Sequence, residues 1–280
     1  NIQNAGNGAK NPNGSDIDVN HPVYLEKVGD MMADFQDSYN VEYWKLDGFA
    51  QRACTDASHG HMVGGTENMY YMVETWENWI SIFERLRENR EKQGKGLFLN
   101  LTSYTPPSPW FLQWANTLFL QTTNDAGFAG PTNTDYGNRM LTHRDNGYYT
   151  FYVANQVQLP MKNIYNHDPV YGKLATRMLG VIPVMDTDVF RNYLFGNAVR
   201  GTAFWELYYS YDLLDEDKWM VNTEAMRFAK DNISVLSKDR MIADARPSGS
   251  SGTVDAFSDW ETGECFVTVR NPSASQKTYS

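Results

Sequence analysis

Two acidic residues of this chain each follow a segment of strand-like side chains. Asp47 comes directly after the strand-like residues 43–46, and Asp125 comes shortly after the apolar run 117–122. Parallel α/β barrels keep their catalytic groups at the carboxyl ends of their strands. Because a pair of carboxylates is the minimum needed to cleave a glycosidic bond, we predict that Asp47 and Asp125 form such a pair.

The two carboxylates would need different protonation states. Lys45 lies two residues before Asp47, so in a strand both side chains share one face. A neighbouring ammonium group favours the charged carboxylate, which is what a nucleophile requires. Asp125 would instead hold a proton for part of the reaction, and this requires burial or a nearby anion.

Other interpretations of these acids stay open. A strand-end aspartate is commonly a helix cap or a salt-bridge partner, and Asp125 also fits a turn. Asp168 precedes a proline and competes as a catalytic acid or as a turn residue. Glu67 and Glu206 are further acid candidates. His167 is a candidate too, although a histidine more often makes a structural hydrogen bond.

The apolar pattern predicts strands that alternate with helices. Predicted strands cover residues 41–46, 97–102, 117–122, 161–165 and 202–208; predicted helices cover residues 21–38, 69–93, 110–115, 148–156, 188–200 and 217–236. Residues 129–146 are predicted as a loop. Two short strands, at residues 254–260 and 264–270, indicate the start of an all-β module.

This alternation predicts an α/β fold with a parallel sheet. A closed (β/α)8 barrel needs eight strands, and only five are visible before residue 245. The sheet is therefore either open, or three further strands precede residue 1.

Composition excludes several partners. The chain has 280 residues, is 14% aromatic and carries a net charge of −10, which argues against binding to nucleic acid or to an anionic membrane surface. No apolar run reaches the roughly 20 residues of a membrane span.

The N-terminal sequence has neither a start methionine nor a signal peptide, so it does not fix the compartment. A secreted or cell-surface bacterial location is favoured over a cytoplasmic one.

The cysteine pattern predicts neither a disulfide nor a metal site. Cys54 and Cys265 lie far apart in the sequence, and two separate thiols are favoured over a pair. We find no Cys-x-x-Cys motif and no Cys/His cluster of the kind that indicates zinc. We expect no metal and no organic cofactor.

Several short motifs resemble one enzyme clan. Residues 44–49, Trp-Lys-Leu-Asp-Gly-Phe, resemble the nucleophile strand of the α-glycosidase clan that holds glycoside hydrolase families 27, 31 and 36. The sequence Asn-Asp-Ala-Gly at residues 124–127 is similar to its acid/base strand. Residues 228–236 resemble its last barrel helix, and residues 270–273, Arg-Asn-Pro-Ser, resemble a strand of its C-terminal β-domain. Residues 108–110 and 165–169 are most similar to bacterial α-N-acetylgalactosaminidases of family 31, often labelled enterotoxin-like.

The resemblance implies a function and a site. It makes Asp47 the nucleophile and Asp125 the acid/base of a retaining exo-α-glycosidase acting on terminal α-linked N-acetylgalactosamine or galactose. Its candidate sugar contacts are Lys45, Asn100, Tyr104, Trp110, His167 and Asp168. It implies that residues 1–245 are strands four to eight of a (β/α)8 catalytic barrel and that residues 246–280 begin a β-domain. The missing N-terminal part of the same protein would then be a partner.

Three rival interpretations remain. The chain could be an inactive carbohydrate-binding relative or an incomplete fragment, or it could be an α-galactosidase or endo-acting enzyme of the same clan. It could also be an unrelated open-sheet hydrolase, although the sequence contains neither a Gly-x-Ser-x-Gly elbow nor a Gly-x-Gly-x-x-Gly fingerprint.

Overall fold

The structure is a computed structural model, and it divides into two compact units. It describes residues 20–47, 54–102, 107–120, 122–202, 204–238, 240–242, 246–247, 253–259, 263–276 and 278. The first unit comprises residues 1–106 and 110–118, and the second comprises residues 107–109 and 119–280.

The first unit alternates strands with helices. Its elements are α1 (Pro22–Tyr39), β1 (Tyr43–Asp47), α2 (Met69–Lys92), β2 (Phe98–Thr102) and the start of β3 (Thr117–Phe119). β1 and β2 run parallel, with Lys45 opposite Asn100 and Asp47 opposite Thr102, and β2 runs parallel to β3. A proline in the first turn starts α1, and Asn40 ends it in the left-handed conformation with φ 53°.

Alternate residues of β1 point to opposite faces of the sheet. The Trp44 indole Nε1 donates to Gln36 Oε1 of α1 at 3.1 Å, so the even-numbered side chains face the helices. Leu46 is buried in agreement with this. The odd-numbered side chains of β1 therefore occupy the opposite face, because the side-chain period of a strand is two.

The second unit contains the remaining elements. Its helices are α3 (Tyr136–Tyr148), α4 (Thr176–Leu179), α5 (Thr187–Ala198), α6 (Glu216–Asp231) and α7 (Ile233–Leu236). Its strands are β4 (Ile164–Asn166), β5 (Val170–Tyr171), β6 (Phe204–Trp205), β7 (Tyr208–Tyr209), β8 (Arg240–Ile242), β9 (Thr253–Asp259) and β10 (Glu264–Arg270). β4 pairs with β6 and β5 with β7, both in parallel, whereas β8, β9 and β10 form an antiparallel sheet.

Aspartates cap the main helices of the second unit. Asp135, Asp186 and Asp215 each accept a backbone N–H from the first turn of α3, α5 and α6, at 2.7, 2.8 and 2.9 Å. Such caps satisfy donors that a helix leaves unpaired and are worth about 1 kcal/mol each. α5 packs against both α3 and α6, and Phe190 and Leu194 lie fully buried in the core that these helices share.

Arg270 at the end of β10 joins the antiparallel sheet to α3. Its guanidinium donates to Asp145 Oδ2, at 2.8 Å from Nε, and to Asn138 Oδ1 at 2.7 Å. Asn138 in turn donates to the carbonyl of Pro272 at 2.9 Å. Arg200 Nη2 donates to the other carboxylate oxygen of Asp145 at 2.7 Å. The segment that resembles the Arg-Asn-Pro-Ser motif is thus bound to a helix by a largely buried ion triad.

The structure confirms the helix–strand alternation and the parallel strand pairs. The predicted loop at residues 129–146 is wrong, because α3 occupies most of it, and the helix predicted from residue 148 is its continuation as a π-helix, Tyr149–Ala154. The predicted helix 217–236 is interrupted at Asn232, whose side-chain amide bonds to the carbonyl of Phe228 at 2.8 Å. Among its described residues, the predicted strand 202–208 contains β6 and the start of β7 and no other strand.

Two expectations about the whole fold stay predictions. These are the assignment of the parallel strands to positions four to eight of a barrel and the domain boundary at residue 245. In the structure the antiparallel pairing already begins at β8, before that boundary. Within the described residues, no helix combines the length and the apolar character that crossing a membrane requires.

Candidate functional site

The first group of predicted site residues lies on one face of β1 and β2. Asn100 Nδ2 donates to the Tyr43 hydroxyl at 2.9 Å, which places Asn100 on the side of the odd-numbered residues of β1. Lys45 and Asp47 share that face, and Lys45 is the register neighbour of Asn100. Asp47 is exposed at the C-terminal end of β1. The structure therefore brings Lys45, Asp47 and Asn100 to one surface of the sheet.

Asn100 carries an unsatisfied polar atom on this face. The side chain is fully buried, and among the described residues its Oδ1 has no hydrogen-bond partner. A buried acceptor without a donor costs about 1–3 kcal/mol, and a donor from a bound molecule would offset this cost. The amide fits the predicted role of a sugar contact, because a hydroxyl group can donate to this oxygen.

The second group surrounds Asp125 in the second unit. Arg144, on α3, is 2% exposed and donates to Thr123 Oγ1 at 2.6 Å and to the Asp125 carbonyl at 2.7 Å. The same guanidinium binds Asp168 Oδ2 at 2.6 Å. One buried cation therefore fixes the loop that follows β3 and the end of β4 together, and this leaves the Asp125 side chain 50% exposed.

Gly127, in the Asn-Asp-Ala-Gly segment, lies where there is no room for a side chain. A Cβ atom on Gly127 would lie 2.3–2.7 Å from ring atoms of His143. The His143 ring also lies 3.5 Å from the carbonyl of Asn124. Burial lowers the pKa of His143, and the charge of Arg144 lowers it further. A neutral imidazole therefore packs against the loop that carries Asp125.

His167 connects two acidic side chains. Its Nε2 lies 3.5 Å from Asp125 Oδ1, and its Nδ1 is hydrogen-bonded to Glu206 Oε2. The side chain of Glu206 is 10% exposed and that of His167 14%. Asp125, His167 and Glu206 thus form a row that leads from the surface inward. In the neutral imidazole, either ring nitrogen can carry the hydrogen.

Aromatic rings fix the orientation of this imidazole. The Phe119 ring lies 4.8 Å from the His167 ring, and the Tyr208 ring meets it edge-on at 5.0 Å. Such packing restrains ring rotation. The nitrogen that contacts Asp125 is therefore set by the surrounding structure.

Asp168 has partners of its own inside the protein. Besides Arg144, its carboxylate accepts from the Tyr193 hydroxyl at 3.4 Å. Burial raises the pKa of Tyr193, and the charge of Asp168 raises it further, so this phenol stays protonated. These contacts orient the segment after β4, and the predicted sugar contact through Asp168 stays a prediction.

The remaining predicted residues are placed as follows. Trp110 is 44% exposed and packs edge-on against Trp76 and Trp114, at 6.2 and 4.6 Å between ring centroids. A partly exposed indole of this kind is suited to stack on a sugar ring. Tyr104 lies outside the described residues.

Sequence reasoning missed Arg144 and named Glu206 only as a further acid candidate. Glu206 directly follows β6, so the strand-end rule that selected Asp47 would also have selected it. No local signal marks Arg144, because its partners come from residues 123–125 and 168.

The fold is shared with known α-galactosidases. The GH36 α-galactosidase AgaA from Geobacillus stearothermophilus matches with a TM-score of 0.60 and 11% sequence identity, over 90% of this chain and 30% of that chain. The α-galactosidase from Lactobacillus brevis matches with a TM-score of 0.60 and 10% identity, over 88% of this chain and 28% of that chain. A variant of the Geobacillus enzyme in complex with stachyose matches with a TM-score of 0.55 and 11% identity, over 90% of this chain and 30% of that chain.

The similarity to these enzymes lies in the structure and not in the sequence. The sequence matches no protein-family model and no curated protein. The chain spans about 30% of the length of the enzymes it resembles. It therefore has the fold of a part of these α-galactosidases.

Proposed function

We propose that this protein is a retaining α-glycosidase that removes a terminal α-linked galactose or N-acetylgalactosamine. The observation that carries the proposal is the position of Asp47 at the C-terminal end of a parallel strand, in a fold shared with α-galactosidases. In such folds the carboxyl ends of the strands carry the catalytic groups.

Asp47 is the proposed nucleophile. Its carboxylate attacks the anomeric carbon, and the bond from that carbon to the leaving oxygen breaks while Asp125 gives that oxygen a proton. Asp125 then takes a proton from water, which attacks the same carbon and releases the sugar from Asp47. A retaining mechanism of this kind requires the two carboxyl groups to approach to about 5–5.5 Å.

The residues around Asp47 and Asp125 support the different roles proposed for these two acids. Lys45 shares a strand face with Asp47, so a cation lies on the same side of the sheet as the proposed nucleophile. We assign the ring hydrogen of His167 to Nδ1, which contacts Glu206, so that Nε2 can accept from a protonated Asp125. His167 is thereby placed to hydrogen-bond to Asp125 while Glu206 orients its ring.

The choice between the two sugars rests on different observations. The motifs at residues 108–110 and 165–169 favour N-acetylgalactosamine, because they resemble family 31 α-N-acetylgalactosaminidases. The similar solved structures are of α-galactosidases. Nitrophenyl α-galactoside and nitrophenyl α-N-acetylgalactosaminide, assayed side by side, measure the preference as a ratio of kcat/KM.

Asn substitutions test the two catalytic roles. We expect Asp47→Asn to abolish turnover of both substrates and Asp125→Asn to lower it by roughly 10²–10⁴-fold, the usual contribution of a general acid. Asp34→Asn on the exposed face of α1 and Asp212→Asn in an exposed ion pair are matched controls in the two units. Azide should rescue Asp47→Ala as a glycosyl azide of inverted configuration.

Two results would refute the proposal. Turnover like that of the unchanged protein in either Asn variant would remove the assigned carboxylate from the mechanism. Sugar binding without hydrolysis of any α-glycoside would instead identify a carbohydrate-binding relative.

A further inference from the structure

A cluster of one cysteine and two histidines lies in the segment between β1 and α2. Cys54, His59 and His61 each offer a donor atom, and these atoms all lie within 4.8 Å of one another. Cys54 is fully buried and His61 is 7% exposed. Within the part of the chain that the structure describes, no other group of Cys, His and acidic side chains comes together in this way. The expectation from the sequence that no Cys/His cluster exists is therefore corrected.

Both histidines are oriented by an oxygen atom on the side away from the cluster. His59 Nε2 lies 3.3 Å from Asp56 Oδ2, while its Nδ1 lies 3.5 Å from Cys54 Sγ. His61 Nδ1 lies 3.1 Å from the carbonyl oxygen of Met62. Metal-binding histidines nearly always donate their second ring N–H to a carboxylate or a backbone carbonyl, which fixes the tautomer. Both histidines of this cluster have such a partner.

The distances suit a tetrahedral metal ion. A Zn²⁺ ion with a Zn–S bond of about 2.3 Å and a Zn–N bond of about 2.0–2.1 Å holds sulfur and nitrogen about 3.6 Å apart. The separation of Cys54 Sγ and His59 Nδ1 is 3.5 Å. No two donor atoms of the cluster are more than 4.8 Å apart, which is about 1 Å more than the separation in a tetrahedral site. Small side-chain rotations can remove this difference.

The backbone around the cluster is held in place by side chains. Asn68 Nδ2 donates to the carbonyl of Cys54 at 2.7 Å, and Asn68 Oδ1 accepts from the backbone N–H of Gly64 at 2.6 Å. Gly60 separates the two histidines with φ 84°, a conformation that favours glycine. Ligands supported in this way lose little further freedom when a metal binds.

A fourth potential donor, the ring of His21, lies near the cluster. The His21 ring lies 6.1 Å from the His59 ring, between centroids. His21 Nδ1 is buried and has no hydrogen-bond partner among the described residues. A buried ring nitrogen without a donor or acceptor is costly, and coordination of a metal would satisfy it.

We propose that Cys54, His59 and His61 form a structural Zn²⁺ site, with Sγ, Nδ1 and Nε2 as the respective ligand atoms. Thiolate and imidazole ligands favour Zn²⁺ over Mg²⁺ or Ca²⁺, which prefer oxygen. The burial of Cys54 and His61 shields both ligands from solvent. Binding removes the proton of the Cys54 thiol, so zinc affinity rises with pH. The ion would tie together residues 54–61, which lie between β1 and α2.

Metal analysis of the whole chain tests the site directly. After removal of bound metal with a chelator and readdition of Zn²⁺, we expect one zinc per chain after dialysis and a higher Tm than that of the metal-free protein. Co²⁺ in place of Zn²⁺ should give a thiolate-to-cobalt charge-transfer band. This band reports coordination by cysteine in the unchanged protein, so it does not depend on whether a variant folds.

Substitutions assign the ligands. Cys54→Ala and His61→Ala should each weaken zinc binding by at least about 100-fold, the upper range for loss of a group that only orients a ligand. Cys265→Ala and His143→Ala remove the same residue types elsewhere and should leave zinc affinity unchanged. The proposal is overturned if the cobalt complex of the unchanged protein lacks the charge-transfer band, or if Cys54→Ala binds zinc as tightly. Glycosidase activity is not a readout, so the proposed function is tested separately.

Discussion

The buried ion triad makes Asp145→Asn the most informative stability variant. Asp145 is 7% exposed, and it accepts from Arg200 on one oxygen and from Arg270 on the other. Burial alone would raise the pKa of Asp145, but the charges of Arg270 and Arg200 outweigh burial and lower it. Asparagine keeps the shape, but it loses the negative charge and turns an NH₂ group towards one guanidinium.

The expected loss is large. Removal of one partner of a buried ion pair costs about 3–5 kcal/mol, because a charge is left buried without compensation. With a urea m-value of about 3 kcal/mol/M, this lowers the unfolding midpoint by about 1–1.7 M. Urea titration followed by circular dichroism measures the shift. Asp212→Asn is the matched control, since its ion pair with Lys173 is exposed, and its midpoint should not change.

The pH dependence provides a second check on the same residue. The lowered pKa of Asp145 means that its stabilisation is fully present above the unfolded-state pKa of about 3.9 and is lost as pH falls through the lower folded-state value. The difference between the unchanged protein and Asp145→Asn should therefore shrink only below about pH 4. A midpoint shift at neutral pH no larger than that of Asp212→Asn would refute the reasoning.

Three further predictions concern the surroundings of Asp125. Gly127→Ala should destabilise the protein by about 1–3 kcal/mol in urea titrations, because its Cβ meets the His143 ring, and His143→Ala in the same chain should recover part of that loss. The pKa of His143 is lowered, so the free energy of unfolding should fall as pH drops below about 6.5, and His143→Gln should remove that slope. His167→Gln should lower kcat by less than the roughly 10²–10⁴-fold expected for a general acid, because it removes a neighbour of Asp125 and not the acid itself, whereas an unchanged kcat would contradict a role for this contact.

Local patterns predicted most of the regular elements. The run at residues 97–102 gives β2, whose residues 99–102 are all buried, and the helical spacing of residues 69–93 gives α2. These elements are recognisable because their apolar residues recur with the period of the structure they form. Asp47 and Asp125 were selected on the same basis, as acids that follow apolar runs.

Long-range contacts explain the failures. α3 contains Gly137, Asn138, Asn146 and Gly147, which favour turns over helices, so the sequence predicts a loop. The helix is fixed instead by Arg144 and its neighbours, whose partners lie 19 or more residues away. No local pattern contains that information.

The Cys/His cluster was missed for a different reason. Its ligands are spaced Cys-x₄-His-x-His, which matches none of the usual zinc spacings. The turn at Gly60 and the hydrogen bonds of Asn68 bring the donor atoms together. Spacing rules describe regular elements and miss ligands that an irregular loop assembles.

The contact between Arg270 and α3 has a practical consequence for truncation. A chain cut at residue 245, where the sequence changes from mixed α/β to β character, would lose the guanidinium that binds Asp145 Oδ2 and the carbonyl that accepts from Asn138. The shortened protein would leave a carboxylate oxygen and an amide exposed on α3, the same helix that supports Asp125 through Arg144. The β9–β10 pair and the residues that follow it therefore stabilise that helix, and fragments intended for activity measurements should extend at least through Pro272.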